Sequence, residues 1–189
     1  MHSVRSIRLF IFLMLAGLGV MPNRAGAQSV AEAKTWTVTP FLSGSFGTSS
    51  NLGSSLGLGV AIGYDITSNL GVEGEIGHVF DVSGDDARVD TSITNISGNA
   101  IYHFDVARVT PYATFGLGLE RSSVSVKDPT VLALTIPSST EIAFNFGGGV
   151  KYSLNDKFLA RADLRRFQAN DLAPDYWRLY GGVTWWIRR

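Results

Sequence analysis

The sequence predicts an all-β chain that closes into an eight-stranded antiparallel up-and-down transmembrane β-barrel. Three observations point there: side chains alternate with period two from Trp36 to Ile187, the two faces so defined are chemically unlike, and short links alternate with long ones. Beyond Gln28 no apolar stripe recurs at helical spacing.

Each strand is read from its alternation. In the second, Leu56, Leu58, Val60, Ile62 and Tyr64 are large and apolar, whereas Gly57, Gly59, Ala61 and Gly63 between them are small, which is the mark of a two-faced strand. The first strand sets Trp36, Val38, Pro40 and Leu42 on the apolar face, and the third sets Val72, Ile76 and Phe80 there. The fourth contributes Ile96, Ala100, Tyr102 and Phe104; the fifth contributes Val109, Ala113, Phe115, Leu117 and Leu119. Ile142, Phe144, Phe146, Val150 and Tyr152 follow from the sixth, then Phe158, Ala160, Ala162 and Leu164 from the seventh. The eighth closes the series with Trp177, Leu179, Val183, Trp185 and Ile187. Strands of about 10 to 12 residues are expected, close to the roughly 9 to 11 that cross a bilayer at a tilt.

The links carry the second signal. Thr67-Ser68-Asn69, Asp105 to Arg108 and Asn155-Asp156-Lys157 are short and built of turn-forming residues. Between them lie longer links over 47–53, 81–88, 122–139 and 168–175. A meander crossing a membrane, with short periplasmic turns and long outer loops, has this rhythm.

The first residues set the compartment. Arg5 and Arg8 precede an apolar run from Leu9 to Met21, and Ala25-Gly26-Ala27 follows as a cleavage site, so a secretory signal is expected over 1–27. The run makes roughly 20 Å of helix, short of the roughly 30 Å hydrocarbon core. A periplasmic tail over 28–35 and the barrel over 36–189 complete the expected organisation. Losing the leader removes Arg5, Arg8 and Arg24 and no acid, which leaves a chain acidic by about three charges and without the basic footprint of a nucleic-acid binder. Cysteine is absent, which excludes disulfide and thiolate chemistry.

Which face meets lipid is decided by the small face. Its glycines and sparse charges would make a poor soluble exterior but suit a narrow lumen filled by side chains. Its charges are expected to balance, with Glu73, Glu75, Glu120 and Asp163 against Lys151, Arg161, Arg165 and Arg178. The third and seventh strands both rise from short turns, so Glu73 and Arg161 share one height, as nearly do Glu75 and Arg165. Charges survive burial only when paired, so an internal network is expected, with Asn95, Asn99, Asn145 and Tyr112 as further members and Trp186 helping to fill the lumen. On the apolar face Trp36, Tyr64, Tyr102, Phe104, Tyr152, Phe158 and Trp185 gather at the end next to the short turns and termini, as an interfacial girdle would. Phe46, Phe80 and Trp177 would form a thinner outer one.

Thr110-Pro111-Tyr112 leading to Gly116-Leu117-Gly118, Phe146-Gly147-Gly148-Gly149-Val150, and Leu159-Ala160-Arg161-Ala162-Asp163-Leu164-Arg165 resemble the outer-membrane protein β-barrel domain family, which includes opacity-type surface proteins of Gram-negative bacteria. Tyr180, Gly182, Trp185 and Ile187 resemble the signal read by the barrel assembly machinery. That family usually ends on an aromatic residue, whereas Arg188 and Arg189 follow here. The resemblance spans about 36–187 and implies residence in the outer membrane, among its lipids and lipopolysaccharide. It implies assembly by that machinery and periplasmic chaperones; no peptidoglycan-binding domain is expected after the barrel.

Other apparent motifs dissolve. Gly57-x-Gly59 lies within a strand and opens no helix, and Asn95-Ile96-Ser97 is a mid-strand sequon. Asp81, Asp85 and Asp86 read as a solvated loop before they read as a cation site. His78 falls on the lipid-facing parity and His103 beside a short turn, with no nucleophile placed for either, so no catalytic residue, metal or cofactor is expected. A structural or surface-contact role remains, with a surface ligand meeting loop 122–139, whose apolar Val131 to Ile136 reads as a hairpin tip before a contact patch. A small channel for hydrophobic or small solutes and a secreted lipocalin-like barrel stay open as alternatives, and a lipid-modifying enzyme is the weakest.

Overall fold

The computed structural model describes residues 33–47, 54–80, 89–104, 109–126, 138–169 and 175–188. The expected leader over 1–27, most of the tail, the short turn at 105–108, the acidic loop 81–88 and the apolar stretch 131–136 lie outside the described residues.

Eight antiparallel strands follow in chain order: β1 (Thr35–Gly47), β2 (Ser54–Asp65), β3 (Leu70–Val79), β4 (Val89–His103), β5 (Val109–Val126), β6 (Ser139–Ser153), β7 (Phe158–Ala169) and β8 (Tyr176–Arg188). Each pairs with its neighbour in sequence, and β1 pairs with β8 to close the barrel. Two short turns are held by their own side chains. Thr67 Oγ1 accepts from the backbone N–H groups of Asn69 and Leu70 at 3.3 and 2.9 Å, and Asn155 Oδ1 accepts from those of Lys157 and Phe158 at 2.9 and 3.0 Å.

The central strands are longer than the 10 to 12 residues expected. β4 and β6 have 15 residues and β5 has 18. Ser123-Val124-Ser125-Val126, expected in the third loop, continues β5 and pairs with β4 as far as Val126↔Val89.

Register fixes the stagger. Trp36 leads through Tyr64, Val72, Ala100, Phe115, Phe146, Arg166 and Trp177 back to β1 at Phe46, ten residues beyond the start. Ten residues at about 3.3 Å, spread over eight strand spacings of about 4.7 Å, tilt the strands by about 40°, so each residue climbs about 2.5 Å along the barrel axis. On that scale the exposed or half-exposed rings of Trp36, Tyr64, Tyr102, Phe104, Tyr152, Phe158 and Trp185 share a band about 6 Å deep. Phe46, Phe80 and Trp177 lie about 25 Å above the lower band, matching the height of an outer-membrane apolar belt.

The closing seam has a local interruption. The β1–β8 ladder passes from Val38↔Trp185 to Phe41↔Gly182 without Thr39 and Pro40, whereas the β1–β2 ladder continues through Pro40↔Val60. Proline lacks the N–H that the ladder needs. Thr39 Oγ1 and Thr184 Oγ1, 2.8 Å apart and buried, bridge the seam beside it.

Bulky apolar side chains cover the outside. Leu56 and Leu42 are 76% and 70% exposed, a surface that water would not tolerate and that lipid requires. Phe115 lies near mid-height on that wall. Phe115→Arg is expected to lower the unfolding free energy in lipid vesicles by about 2–4 kcal/mol, whereas Thr140→Arg at the outer edge is expected to change it by no more than about 1 kcal/mol. Denaturant titration of both variants, refolded in vesicles, checks the difference.

Candidate functional site

The candidate site is the lumen. Its glycines line part of the wall so that long side chains from β3, β7 and β8 can occupy the axis. Gly77 shows the requirement: a Cβ there would come within 2.9 Å of Arg178 Nη1 and 2.7 Å of Asn95 Oδ1.

Three arginines and three carboxylates form one contiguous cluster. Arg161 grips Glu73 with both terminal nitrogens, Nη1 to Oε2 and Nη2 to Oε1 at 3.1 Å for the latter. Its Nε donates to the Tyr112 hydroxyl at 2.8 Å and to Asp163 Oδ2 at 3.0 Å, and Tyr112 in turn donates to Asp163. Arg165 donates to Glu75 at 2.9 Å, to Glu73 at 3.1 Å and to Asp163 at 3.3 Å. Arg178 lies 3.5 Å from Glu75 and donates to Asn95 at 2.6 Å and to the Tyr176 hydroxyl at 2.7 Å. Tyr180 donates to Glu75 at 2.8 Å. Rings sandwich the cations: Arg165 lies 4.9 Å from the Tyr180 centroid and Arg178 lies 4.5 Å from that of Phe167. Formal charge cancels within the cluster, as burial at 0% exposure for Arg165 and Arg178 demands.

Two of the eight expected charges take other partners. Glu120 receives the Tyr176 hydroxyl at 2.9 Å, and no described cation forms an ion pair with it. Lys151 Nζ meets His103 Nε2 at 2.9 Å near the short-turn end, where Asp65 lies 3.9 Å from His103 Nδ1. The expected balance of four against four also omits two acids on the inward parity, Asp65 and Glu141. Tyr176 and Tyr180 were absent from the expected network, although both share parity with Arg178, which is the sequence signal for them. Asn145 donates to Asn99 at 2.9 Å and Asn95 to Glu75 at 3.4 Å, so the amides lie along the same interior.

The four residues expected to mark assembly divide between faces. Tyr180 is buried in the lumen and Gly182 shares its parity, whereas Trp185 and Ile187 are exposed on the apolar wall. His78 stands on the outer wall, its Nδ1 2.8 Å from Thr94 Oγ1. Among the described residues no group of three or more His, Cys, Asp or Glu is placed to hold a metal ion.

With this geometry in view, the comparisons with known proteins are consistent. Neisserial surface protein A superposes with a TM-score of 0.65 at 22% identity, over 85% of this chain and 99% of that one. The N-terminal β-barrel domain of Pseudomonas aeruginosa OprF gives 0.58 at 21% identity, over 81% and 97%. Ail, the attachment invasion locus protein of Yersinia pestis, gives 0.59 at 14% identity, over 82% and 99%. At these identities the likeness is one of fold. No curated protein matches the chain in sequence. The model of the outer membrane protein beta-barrel domain matches residues 10–185, so the chain belongs to that family and resides in the outer membrane.

Proposed function

We propose that this barrel is a non-conducting scaffold that presents its outer loops for contact at the cell surface. The observation that carries the reading is the lumen cluster. Arg161, Arg165, Arg178, Glu73, Glu75 and Asp163 are each less than a tenth exposed and bonded across the axis, which supports a lumen filled at that height. An eight-stranded barrel has room for its own side chains and little else. That argues against the channel alternative. The apolar outer wall and the outer-membrane family argue against a secreted lipocalin-like barrel. An enzymatic role finds no support, because His103 contacts Lys151 at the short-turn end and His78 contacts Thr94 on the outer wall.

Surface contact is favoured by where variation is possible. Strand positions are bound by lipid or by the cluster, whereas loops on a rigid scaffold are free to recognise. Ail, the attachment invasion locus protein of Yersinia pestis, has also been solved with the heparin analogue sucrose octasulfate. It shares this fold and supports such a role. Delivery by periplasmic chaperones and assembly through β8 by the barrel machinery complete the proposal.

In planar bilayers the folded protein is expected to show no stable open state, and a steady single-channel current would overturn the plug. Glu73→Ala strips Arg161 of its two-pronged partner. It is expected to cost about 3–5 kcal/mol of stability by denaturant unfolding and to admit intermittent current. Replacing residues 127–138 with a short Gly-Ser link is expected to abolish binding of whole cells to host-cell layers while leaving the heat-modifiable band unchanged on an unboiled gel. Undiminished binding would remove that loop from the contact surface.

A further inference from the structure

We infer that the outer wall of β3 to β6, at the upper edge of the apolar belt, is a binding shelf for a phosphate group of an outer-leaflet lipid, with Arg121 as its anchor. The inference rests on the orientation of the barrel and not on the surface-contact reading.

Register brings the shelf together. His78 pairs with Thr94, Thr94 with Arg121, and Arg121 with Thr140, so four polar side chains stand in one cross-strand row. All four lie on the lipid-facing parity. Ile76, Ile96, Leu119 and Ile142 lie one step below them on the same strands, exposed and apolar. On the tilt derived above, Thr94 and Arg121 sit about 25 Å above the periplasmic aromatic band, which is where acyl chains give way to headgroups. Above them Ser92 pairs with Ser123 on the same parity, which adds two hydroxyls.

Charge decides the ligand. Arg121 is exposed, and its Nη2 donates to Ser138 Oγ at 3.0 Å; no described carboxylate pairs with it. Glu120 and Glu141, its sequence and cross-strand neighbours, are on the inward parity and do not reach this side. Among the described residues the other arginine on the outer wall is different: Arg166 pairs with Asp175 at 2.8 Å and lies 5.6 Å from the Trp177 ring, so its charge is already matched. At the headgroup level this Arg121 guanidinium meets no described carboxylate, which leaves its fork of donors open to an anion from outside the chain. Cross-strand neighbours about 5 Å apart let its planar fork and the flanking Thr94 and Thr140 hydroxyls converge on one phosphate. Among the described residues the outward positions at the periplasmic edge of the same strands are Tyr102, Phe104, Val109 and Tyr152, none of them a cation, whereas Arg121 stands at the outer edge.

Native mass spectrometry of the folded full chain in detergent tests this, with bisphosphorylated lipid A, its dephosphorylated form and inorganic phosphate as probes. The wild type is expected to retain one phosphorylated glycolipid, with Arg121→Gln weakening retention about tenfold and Arg166→Gln leaving it unchanged. Thr94→Val, which removes a hydroxyl and no charge, is expected to weaken it about threefold and decides the matter if Arg121→Gln fails to assemble. Equal retention of the dephosphorylated form, undiminished retention by the variants, or displacement by equimolar inorganic phosphate would overturn the lipid shelf.

Discussion

Inside hydrocarbon no water is available to an unpaired backbone N–H or carbonyl, so closure of the sheet is the condition on which everything else in this molecule depends. The β1–β8 seam meets it. At that seam Pro40 withholds one donor, and the ladder skips Thr39 and Pro40. The buried Thr39–Thr184 hydroxyl bond crosses beside the gap, so the seam stays bridged where its backbone ladder is thinnest. Once the ring is closed, alternation has only two destinations, acyl chains or the axis, and each residue's parity assigns it to one of them.

Closure also makes the lumen narrow, which bears on the form of the charge cluster. Apolar side chains of similar volume could fill such a space at comparable or lower free energy, so stability alone does not account for three arginines and three carboxylates. Register does. A one-residue slip of β7 would carry Arg161, Asp163 and Arg165 to the lipid face and bring Ala160, Ala162 and Leu164 inward, abandoning the bonds to Glu73 and Glu75. The tyrosines finish what the carboxylates cannot. The Tyr112 and Tyr176 hydroxyls each accept from an arginine and donate to a carboxylate, which satisfies polar atoms on both sides without adding charge.

Much of this was legible in the sequence because parity survives ignorance of register. Knowing only that β3 and β7 rise from short turns places Glu73 beside Arg161, since residues are counted from the same end. Other features are not settled by residue type. Tyr suits either face of a membrane barrel, so residue type alone does not assign Tyr176 and Tyr180; their parity with Arg178 does. Lys151 was grouped with the carboxylates by charge, yet its partner is His103, which lies on β4 just before a turn whose length sets their relative height. The extension of β5 was masked by composition: Ser123-Val124-Ser125-Val126 does alternate, but its serines read as loop.

That extension bears on how function is distributed along the axis. Beyond Ser122 the described ladder of β5 runs to β4 alone, while β6 ends its pairing at Ser122↔Ser139. A ribbon of two strands can outlast its neighbours only where water is present, because one of its edges is then hydrated instead of paired. The β4–β5 ribbon therefore marks the height at which lipid has ended. The same height is reached from the outside by Arg121 and from the inside by Glu120, whose hydroxyl partner is Tyr176. Below it, side chains are committed to acyl chains or to the lumen cluster, and substitutions there act first on folding. Above it neither constraint applies, so the proposed surface-contact role places specificity in the segment that the ribbon carries outward.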